Sequence, residues 1–200
     1  MGKKTRPSQQ GADSRVQRSK ETVLATTFEL LQETGINGLS VDEVSRRSGV
    51  AKTTIYRHWP SRSALVIDAC SQLSSRPAVP QTGSFRGDLL TLALALSNQL
   101  RTARWPTVLP SIIDAAERDP AVARMHSKMH QERVSAFREA IEQAKKRGEL
   151  ARSRDTAEIV AMIVGPLIYR RLLSRESLDE RYVEKVVNHA IGKAAEPKRR

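Results

Sequence analysis

Apolar residues recur along most of the chain at the spacing of one face of an α-helix. The clearest stripes are Leu24, Phe28 and Leu31, and later Leu89, Leu92, Leu96 and Leu100. Runs in which apolar and polar residues alternate between turn-forming pairs, as in strands, are missing. The pattern therefore predicts an all-α protein of about nine helices.

Glycines, prolines and capping residues divide this pattern into segments. The predicted helices cover residues 14–35, 41–48, 52–59, 62–76, 85–103, 105–118, 121–146, 155–174 and 179–194. Residues 77–83, PAVPQTG, contain two prolines and a glycine and predict a linker. We therefore expect a disordered basic arm at 1–13, an N-terminal domain at 14–76 and a C-terminal domain at 77–200.

The net charge is +12, from 34 basic and 22 acidic residues, and such a surplus attracts polyanions, of which nucleic acid is the commonest. The basic residues are spread along the whole chain, so the charge alone does not decide between DNA and a merely cationic surface. The arm at 1–13 also allows two interpretations. It is either a solvated tail or a segment that contacts phosphates or the minor groove.

Other features argue against several classes of protein. A single cysteine, Cys70, allows no intrachain disulfide and fits a reducing cytosol. The first twenty residues are polar, which predicts no secretory signal, and no apolar stretch approaches the ~20 residues of a membrane span. No paired carboxylates, nucleophile–base set or phosphate loop points to an enzyme, and no cofactor is expected. We therefore predict a cytoplasmic protein that is not an enzyme.

The most informative stretch is residues 38–65, GLSVDEVSRRSGVAKTTIYRHWPSRSAL. It predicts two short helices joined by a tight turn at residues 48–50, with Ser40 and Glu43 forming a capping box at the start of the first helix. A bare pattern of this kind also fits a plain helical corner. The cap, the turn and the downstream Arg62 stand in register, however, and this favours a DNA-binding helix-turn-helix.

The second helix of this stretch suits the major groove. Lys52, Thr53 and Thr54 lie at its beginning, where they would read base edges, and Tyr56 and His58 would donate to phosphates. Arg62 begins the next helix, where a cation is unfavourable unless a phosphate compensates it. The predicted DNA-binding residues are Ser40, Arg46, Arg47, Lys52, Thr53, Thr54, Tyr56, Arg57, His58 and Arg62.

This stretch resembles the DNA-binding domain of the TetR family of transcriptional regulators. The matching elements are Gly35, Ser40, the turn at 48–50, the helix end Tyr56-Arg57-His58-Trp59 and the run Pro60 to Leu65. Trp59 stands where Phe is commoner and Arg62 where Lys is commoner. Looser motifs that follow, at residues 118–120, 147–150, 165–170 and 178–179, resemble one class of C-terminal domain in that family.

The resemblance implies a homodimer that binds double-stranded operator DNA at an inverted repeat and dimerises through a four-helix bundle formed by the last two long helices. The implied interface residues are Ile159, Ile163, Leu167, Tyr182, Val186 and Ala190. It also implies a cavity within residues 84–148 for an apolar or aromatic effector. The candidate pocket residues are Leu96, Trp105, Leu109, Ile113, Met125, Met129, Phe137, Met162 and Pro166, several of which suit a plain core equally well.

Three alternatives to a ligand-responsive repressor stay open. The protein could bind DNA regardless of sequence, it could carry a filled C-terminal core without a ligand, or, least in keeping with the motifs, it could be a small helical enzyme. His126 and His130 have a metal-compatible spacing, but Ser127 stands where a metalloprotease motif needs Glu and no third ligand is evident, so no metal is expected.

Overall fold

The computed structural model describes residues 9–71 and 77–192, with side chains from residue 14 onward. Within these ranges the chain forms nine α-helices and one π-helical segment, Arg170–Ser174, and no strand. The helices are α1 Gln9–Gly38, α2 Val41–Ser48, α3 Lys52–His58, α4 Arg62–Ser71, α5 Phe85–Thr102, α6 Trp105–Ala116, α7 Pro120–Arg147, α8 Thr156–Tyr169 and α9 Glu180–Ile191. The predicted all-α class is confirmed.

The predicted boundaries differ most from the structure at the start of α1 and at the end of α8. α1 begins at Gln9, so part of the segment predicted as a disordered arm is helical. α8 ends at Tyr169 and continues as the π-helical segment, where the sequence predicts one helix to residue 174. The remainder of the arm, the predicted end of α4 at 72–76 and the basic tail at 193–200 lie outside the described residues.

Short polar side chains start several helices at the predicted positions. Ser84 Oγ accepts a hydrogen bond from the Gly87 N–H at 3.1 Å, and Asp179 accepts from the Tyr182 N–H at 2.8 Å. Asp155 accepts from the Ala157 N–H at 2.6 Å. Each cap satisfies an N–H that has no partner inside its helix, which is why these helices begin there.

Gly35 interrupts α1 with φ 67° and ψ −178°, a conformation that side chains with a Cβ rarely adopt. A Cβ at this position would also lie 3.2 Å from the Cβ of Ser111. The predicted stop at Gly35 is therefore observed as a break within α1, which turns the chain towards α2.

The chain forms two compact units. The first contains the described residues up to 71 together with 107–127, and the second contains 77–106 and 128–192. The linker predicted at 77–83 lies next to one of the three places where the chain changes unit. The other two places lie in α6 and α7, where an uninterrupted helical pattern hides any boundary.

The first unit has an aliphatic core contributed by α1, α2, α3 and α4. The side chains of Leu31, Val44, Ile55 and Val66 are each at most 1% exposed. Burial of such side chains is worth about 1.5–3 kcal/mol each and holds the short helices α2 and α3, which would not be stable alone.

The second unit packs α5, α8 and α9 against one another. It also buries polar groups of α5 that bond to residues in loops. Asp88 accepts from the N–H and hydroxyl of Thr82, both at 2.8 Å, and the Ser97 hydroxyl donates to the Leu178 carbonyl at 3.0 Å. These bonds fix the loops on either side of the helices, because buried polar groups are costly without partners.

Candidate DNA-binding interface

α2 begins with the predicted cap, but the predicted capping box forms only in part. Ser40 Oγ accepts from the Asp42 N–H at 3.2 Å. The Glu43 carboxylate, which the box would direct back to Ser40, instead accepts from Arg46 at 2.6 and 2.8 Å and from Arg47 at 2.7 Å. Two forked cations on the same helix outcompete one backbone N–H for this carboxylate.

The turn between α2 and α3 is held by hydrogen bonds of two serines. Gly49 adopts φ 70° and ends α2 in the left-handed conformation. The Ser45 hydroxyl donates to the Val50 carbonyl at 2.8 Å, and the Val50 N–H donates to Ser48 Oγ at 3.2 Å. These bonds set the angle at which α3 leaves the turn.

α3 is anchored to the first unit by one face and one end. Ile55 is 1% exposed and Trp59, directly after the helix, is 5% exposed. The Trp59 indole N–H donates to the Asp68 carboxylate on α4 at 2.8 Å. Asp68 is not among the predicted site residues, because its partner lies nine positions away, directly after α3.

The opposite face of α3 points to solvent. Thr53 and Arg57 are exposed and Tyr56 is 48% exposed, a large fraction for an aromatic side chain. Among the described residues, none makes a hydrogen bond or ion pair with these three side chains. A hydroxyl, a phenol and a guanidinium on one short exposed helix can donate to phosphates and to base edges.

Three other predicted cations around α3 already have carboxylate partners. Lys52 lies 2.7 Å from Asp42, Arg46 pairs with Glu43, and Arg47 bridges Glu43 and Glu33, the latter at 2.8 Å. Hydrogen bonds from Arg46 and then Arg47 lower the pKa of Glu43 to about 2. Because exposed ion pairs contribute only about 0–1 kcal/mol, these cations can exchange a carboxylate for a phosphate at little cost.

The remaining predicted DNA-binding residues are less uniformly placed. Arg62 is exposed at the start of α4 and donates weakly to the Leu39 carbonyl at 3.4 Å. Thr54 and His58 are half-buried. His58 Nε2 is buried and has no hydrogen-bond partner in the part of the chain that is described. His58 was predicted to donate to a phosphate, but this buried nitrogen is not presented to one.

Hydrogen bonds within the first unit connect the helix-turn-helix to α6 and to the start of α7. The Ser63 hydroxyl on α4 donates to Asp119 at 2.8 Å, and the Asn37 amide donates to Asp114 at 3.0 Å. Asp119 also accepts from the Ala121 N–H at 2.8 Å, and these bonds lower its pKa. Local sequence patterns do not predict contacts between residues so far apart along the chain.

The predicted pocket residues have mixed surroundings. Leu96, Trp105, Met125, Met129 and Phe137 are buried, Leu109, Met162 and Pro166 are half-buried, and Ile113 is 40% exposed. They are divided between the two units. The three described cavities are lined by other residues, such as Gln131 and Ser135 on α7 for the largest.

The predicted dimer residues lie mostly in the core of a single chain. Ile159, Ile163, Leu167 and Ala190 are at most 1% exposed and Val186 is 9% exposed. Tyr182 is half-buried, and the Arg170 guanidinium lies 3.5 Å from its ring centroid. These side chains hold α8 and α9 inside the second unit, which leaves them little surface for a partner.

Among the described residues, no three potential metal ligands come together, and His126 and His130 belong to no such group. No helix in the described ranges combines the length and hydrophobicity that a membrane span requires.

Comparisons with known proteins agree with this geometry. The family described as "Bacterial regulatory proteins, tetR family" matches residues 23–69, and "Tetracyclin repressor-like, C-terminal domain" matches residues 79–190. The HTH-type transcriptional regulator YdeS of Bacillus subtilis is 30% identical over 193 residues, covering 96% of this chain and 93% of the relative. The DNA-binding transcriptional repressor TetR of Mycobacteroides abscessus is 26% identical, covering 84% of this chain and 90% of the relative.

Solved structures share the fold. The TetR family transcription regulator SCO0332 has a TM-score of 0.66 and 28% identity, covering 90% of this chain and 99% of that one. The flavonoid-responsive regulator FrrA has a TM-score of 0.69 at 20% identity, covering 85% of this chain and 91% of that one. The latter likeness concerns the fold alone.

Proposed function

The chain belongs to the TetR family of helix-turn-helix transcriptional regulators, and from this premise we propose that it represses transcription as a homodimer on an inverted-repeat operator and responds to a small effector. The single observation that carries the DNA-binding proposal is the exposed face of α3, on which Thr53, Tyr56 and Arg57 have no partner among the described residues.

We assign different roles to the residues of this interface. Thr53, at the N-terminal end of α3, reads a base edge together with Lys52 and Thr54. Tyr56 and Arg57 bind phosphates and hold the register, and Ser40 and Arg62 contribute at the starts of α2 and α4. Arg46 and Arg47 exchange their carboxylate partners for phosphates when DNA binds.

The homodimer requires a surface other than the buried residues of α8 and α9. Ala157, Ala161 and Gly165 follow one another at four-residue spacing on the exposed face of α8, and Tyr169 and Leu173 extend it at 55% and 66% exposed. Small residues let a second helix approach closely, and exposed large apolar side chains mark interaction surfaces. We place the dimer contact on this α8 face.

Repression is supported by a relative, 26% identical, that is named a DNA-binding transcriptional repressor. Ligand response is supported by the course of α7. This helix begins beside Asp119, which holds Ser63 of the DNA-binding unit, and its residues from 128 onward belong to the second unit. A shift of α7 caused by an effector would pull on α4 through Ser63. Couplings of this kind are typically 1–3 kcal/mol.

Selection of binding sites from random duplexes tests the proposal, followed by footprinting of the enriched sequence. We expect an inverted repeat with two protected half-sites about one helical turn apart. A sequence-independent binder would enrich no common site and would give no discrete footprint, which would contradict operator recognition.

A further inference from the structure

Arg133 stands in the apolar stripe of α7. Met129, Ala136, Phe137 and Ala140 lie at positions −4, +3, +4 and +7 relative to it, and all four are buried. Arg133 itself is half-buried. A cation in such a stripe is unusual, because burying a charge is costly unless a partner compensates it.

The guanidinium of Arg133 lies over the ring of Trp105, with Cζ 3.6 Å from the ring centroid. Within the described part of the chain, the guanidinium makes this cation–π contact, and no carboxylate pairs with it. Burial alone lowers the pKa of Arg133, to about 10, so the group stays charged at neutral pH. Within the described residues, the stack therefore leaves a half-buried cation without a counter-ion.

Trp105 adds a second unsatisfied donor at the same place. The ring is 7% exposed, and its buried indole N–H has no acceptor among the described residues. Buried indole N–H groups usually have a partner, as Trp59 does in the Asp68 carboxylate. Two stacked side chains of the second unit thus both lack an acceptor in the part of the chain that the structure describes.

We propose that Arg133 and Trp105 together bind the carboxylate of an otherwise apolar effector. A carboxylate can accept from a guanidinium edge and an indole N–H at once, and such charge-assisted bonds are the strong ones. The buried neighbours along α7 are apolar, which suits an apolar remainder. The inference rests on the proposed ligand response and adds to it the chemical class of the ligand.

The test uses pairs of probes that differ only in charge. Octanoate, decanoate, phenylacetate and naphthylacetate, each with its primary amide, are titrated into the full-length protein by isothermal titration calorimetry. We expect at least one acid to bind about tenfold or more tightly than its amide. Arg133→Met should abolish this preference, and Trp105→Phe, which keeps the stacking ring, should weaken it. Arg138→Met, an exposed position on the same helix, should leave it unchanged.

A second measurement separates a ligand site from a purely structural stack. Without ligand, Arg133→Met should raise the Tm, because it removes an unpaired cation from an apolar stripe. A lower Tm for Arg133→Met combined with no preference for any acid would overturn the proposal. If Arg133→Met does not fold, Arg133→Lys retains the charge but loses the forked donors, and an unchanged acid preference in that variant would also overturn it.

Operator gel shifts with the same acids distinguish this inference from the proposed function. Operator binding without any preference for acids would refute the carboxylate site and leave the DNA-binding function intact. Arg133-dependent acid binding that does not release the operator would establish the site and refute the ligand response.

Discussion

The two tryptophans of the chain, one in each unit, differ in whether the indole N–H has an acceptor. Trp59, in the first unit, donates to Asp68, and three cations of the same unit, Arg46, Arg47 and Lys52, pair with carboxylates of α1 and α2. Trp105, in the second unit, has neither an acceptor for its N–H nor an acid near the stacked Arg133 among the described residues.

The difference indicates where each unit depends on another molecule. The first unit satisfies its interior and offers polar side chains outward on α3, so it can bind DNA without rearranging its core. The second unit leaves donors around Trp105 without acceptors among the described residues and an apolar strip exposed on α8, where the proposed ligand and the proposed second copy would bind.

The exposed strip on α8 gives the largest expected change. Ala161→Arg places a cation on the proposed dimer contact, where two copies would repel each other across the symmetry axis. We expect a monomer by light scattering and an operator affinity about 100-fold lower or more, because the second half-site no longer binds in the same complex. Ala151→Arg, at an exposed position after α7, is the control and should stay dimeric. A dimeric Ala161→Arg variant would remove α8 from the interface.

Two glycines of the first unit, Gly35 and Gly49, have a positive φ and differ in their surroundings. Gly49→Ala has open space around the new Cβ and should cost only the backbone strain, about 1–2 kcal/mol of unfolding free energy. Gly35→Ala adds a contact at 3.2 Å to Ser111 and should cost more, about 2–3 kcal/mol. Urea unfolding followed by circular dichroism measures both. Equal losses would contradict the greater cost expected at Gly35, where both the extended ψ of −178° and the approach of Ser111 disfavour a side chain.

The exposed face of α3 predicts two kinds of binding defect. Thr53→Ala should lose about 1–3 kcal/mol of discrimination at one base pair, while Arg57→Ala should weaken matched and scrambled duplexes alike and reduce the salt slope by about 1. Fluorescence anisotropy at several salt concentrations measures both quantities. If the two variants lose affinity in the same way on both duplexes, the assigned roles are wrong.

The first unit contains one buried nitrogen without a described hydrogen-bond partner, His58 Nε2. We expect the stability change from replacing His58 to be the smallest of those considered. Burial, followed by the charges of Lys20 and Arg57, lowers its pKa below the ordinary 6.5. The unfolded chain therefore takes up the proton first. The associated stability is fully present above pH about 6.5 and is lost as the pH falls towards the lower folded pKa.

His58→Gln should consequently lose less unfolding free energy than the wild-type protein between pH 7 and pH 5. Denaturant unfolding at each pH measures the difference, and comparison with wild type cancels the contributions of the other three histidines. Parallel pH curves for the two proteins would show that His58 is not the titrating group.

The features that follow from local sequence were the predictable ones. Ser40 begins α2 through its own side chain and Gly49 ends it through its backbone freedom, so the helix-turn-helix could be located from residues 38–65 alone. The exposure of Tyr56 and the burial of Ile55 follow equally from the periodicity of one short helix.

The features that depend on distant partners could not be predicted. The Ser63–Asp119 bond, the Trp59–Asp68 bond and the stack of Arg133 on Trp105 join residues on different helices. Periodicity identifies the buried face of a helix but not what covers it. The interface predicted on α8 and α9 consists mostly of residues that one chain buries by itself.

We propose that the exposed face of α3 binds operator DNA, and a thiol at position 53 tests this most directly. Cys70 is fully buried and burial raises the pKa of its thiol to about 12, so Thr53→Cys carries a single reactive thiol. We predict that the selected operator strongly slows maleimide labelling of Thr53→Cys, while a scrambled duplex slows it less and labelling of a Ser127→Cys control is unchanged. Equal labelling of Thr53→Cys with and without operator would contradict the account.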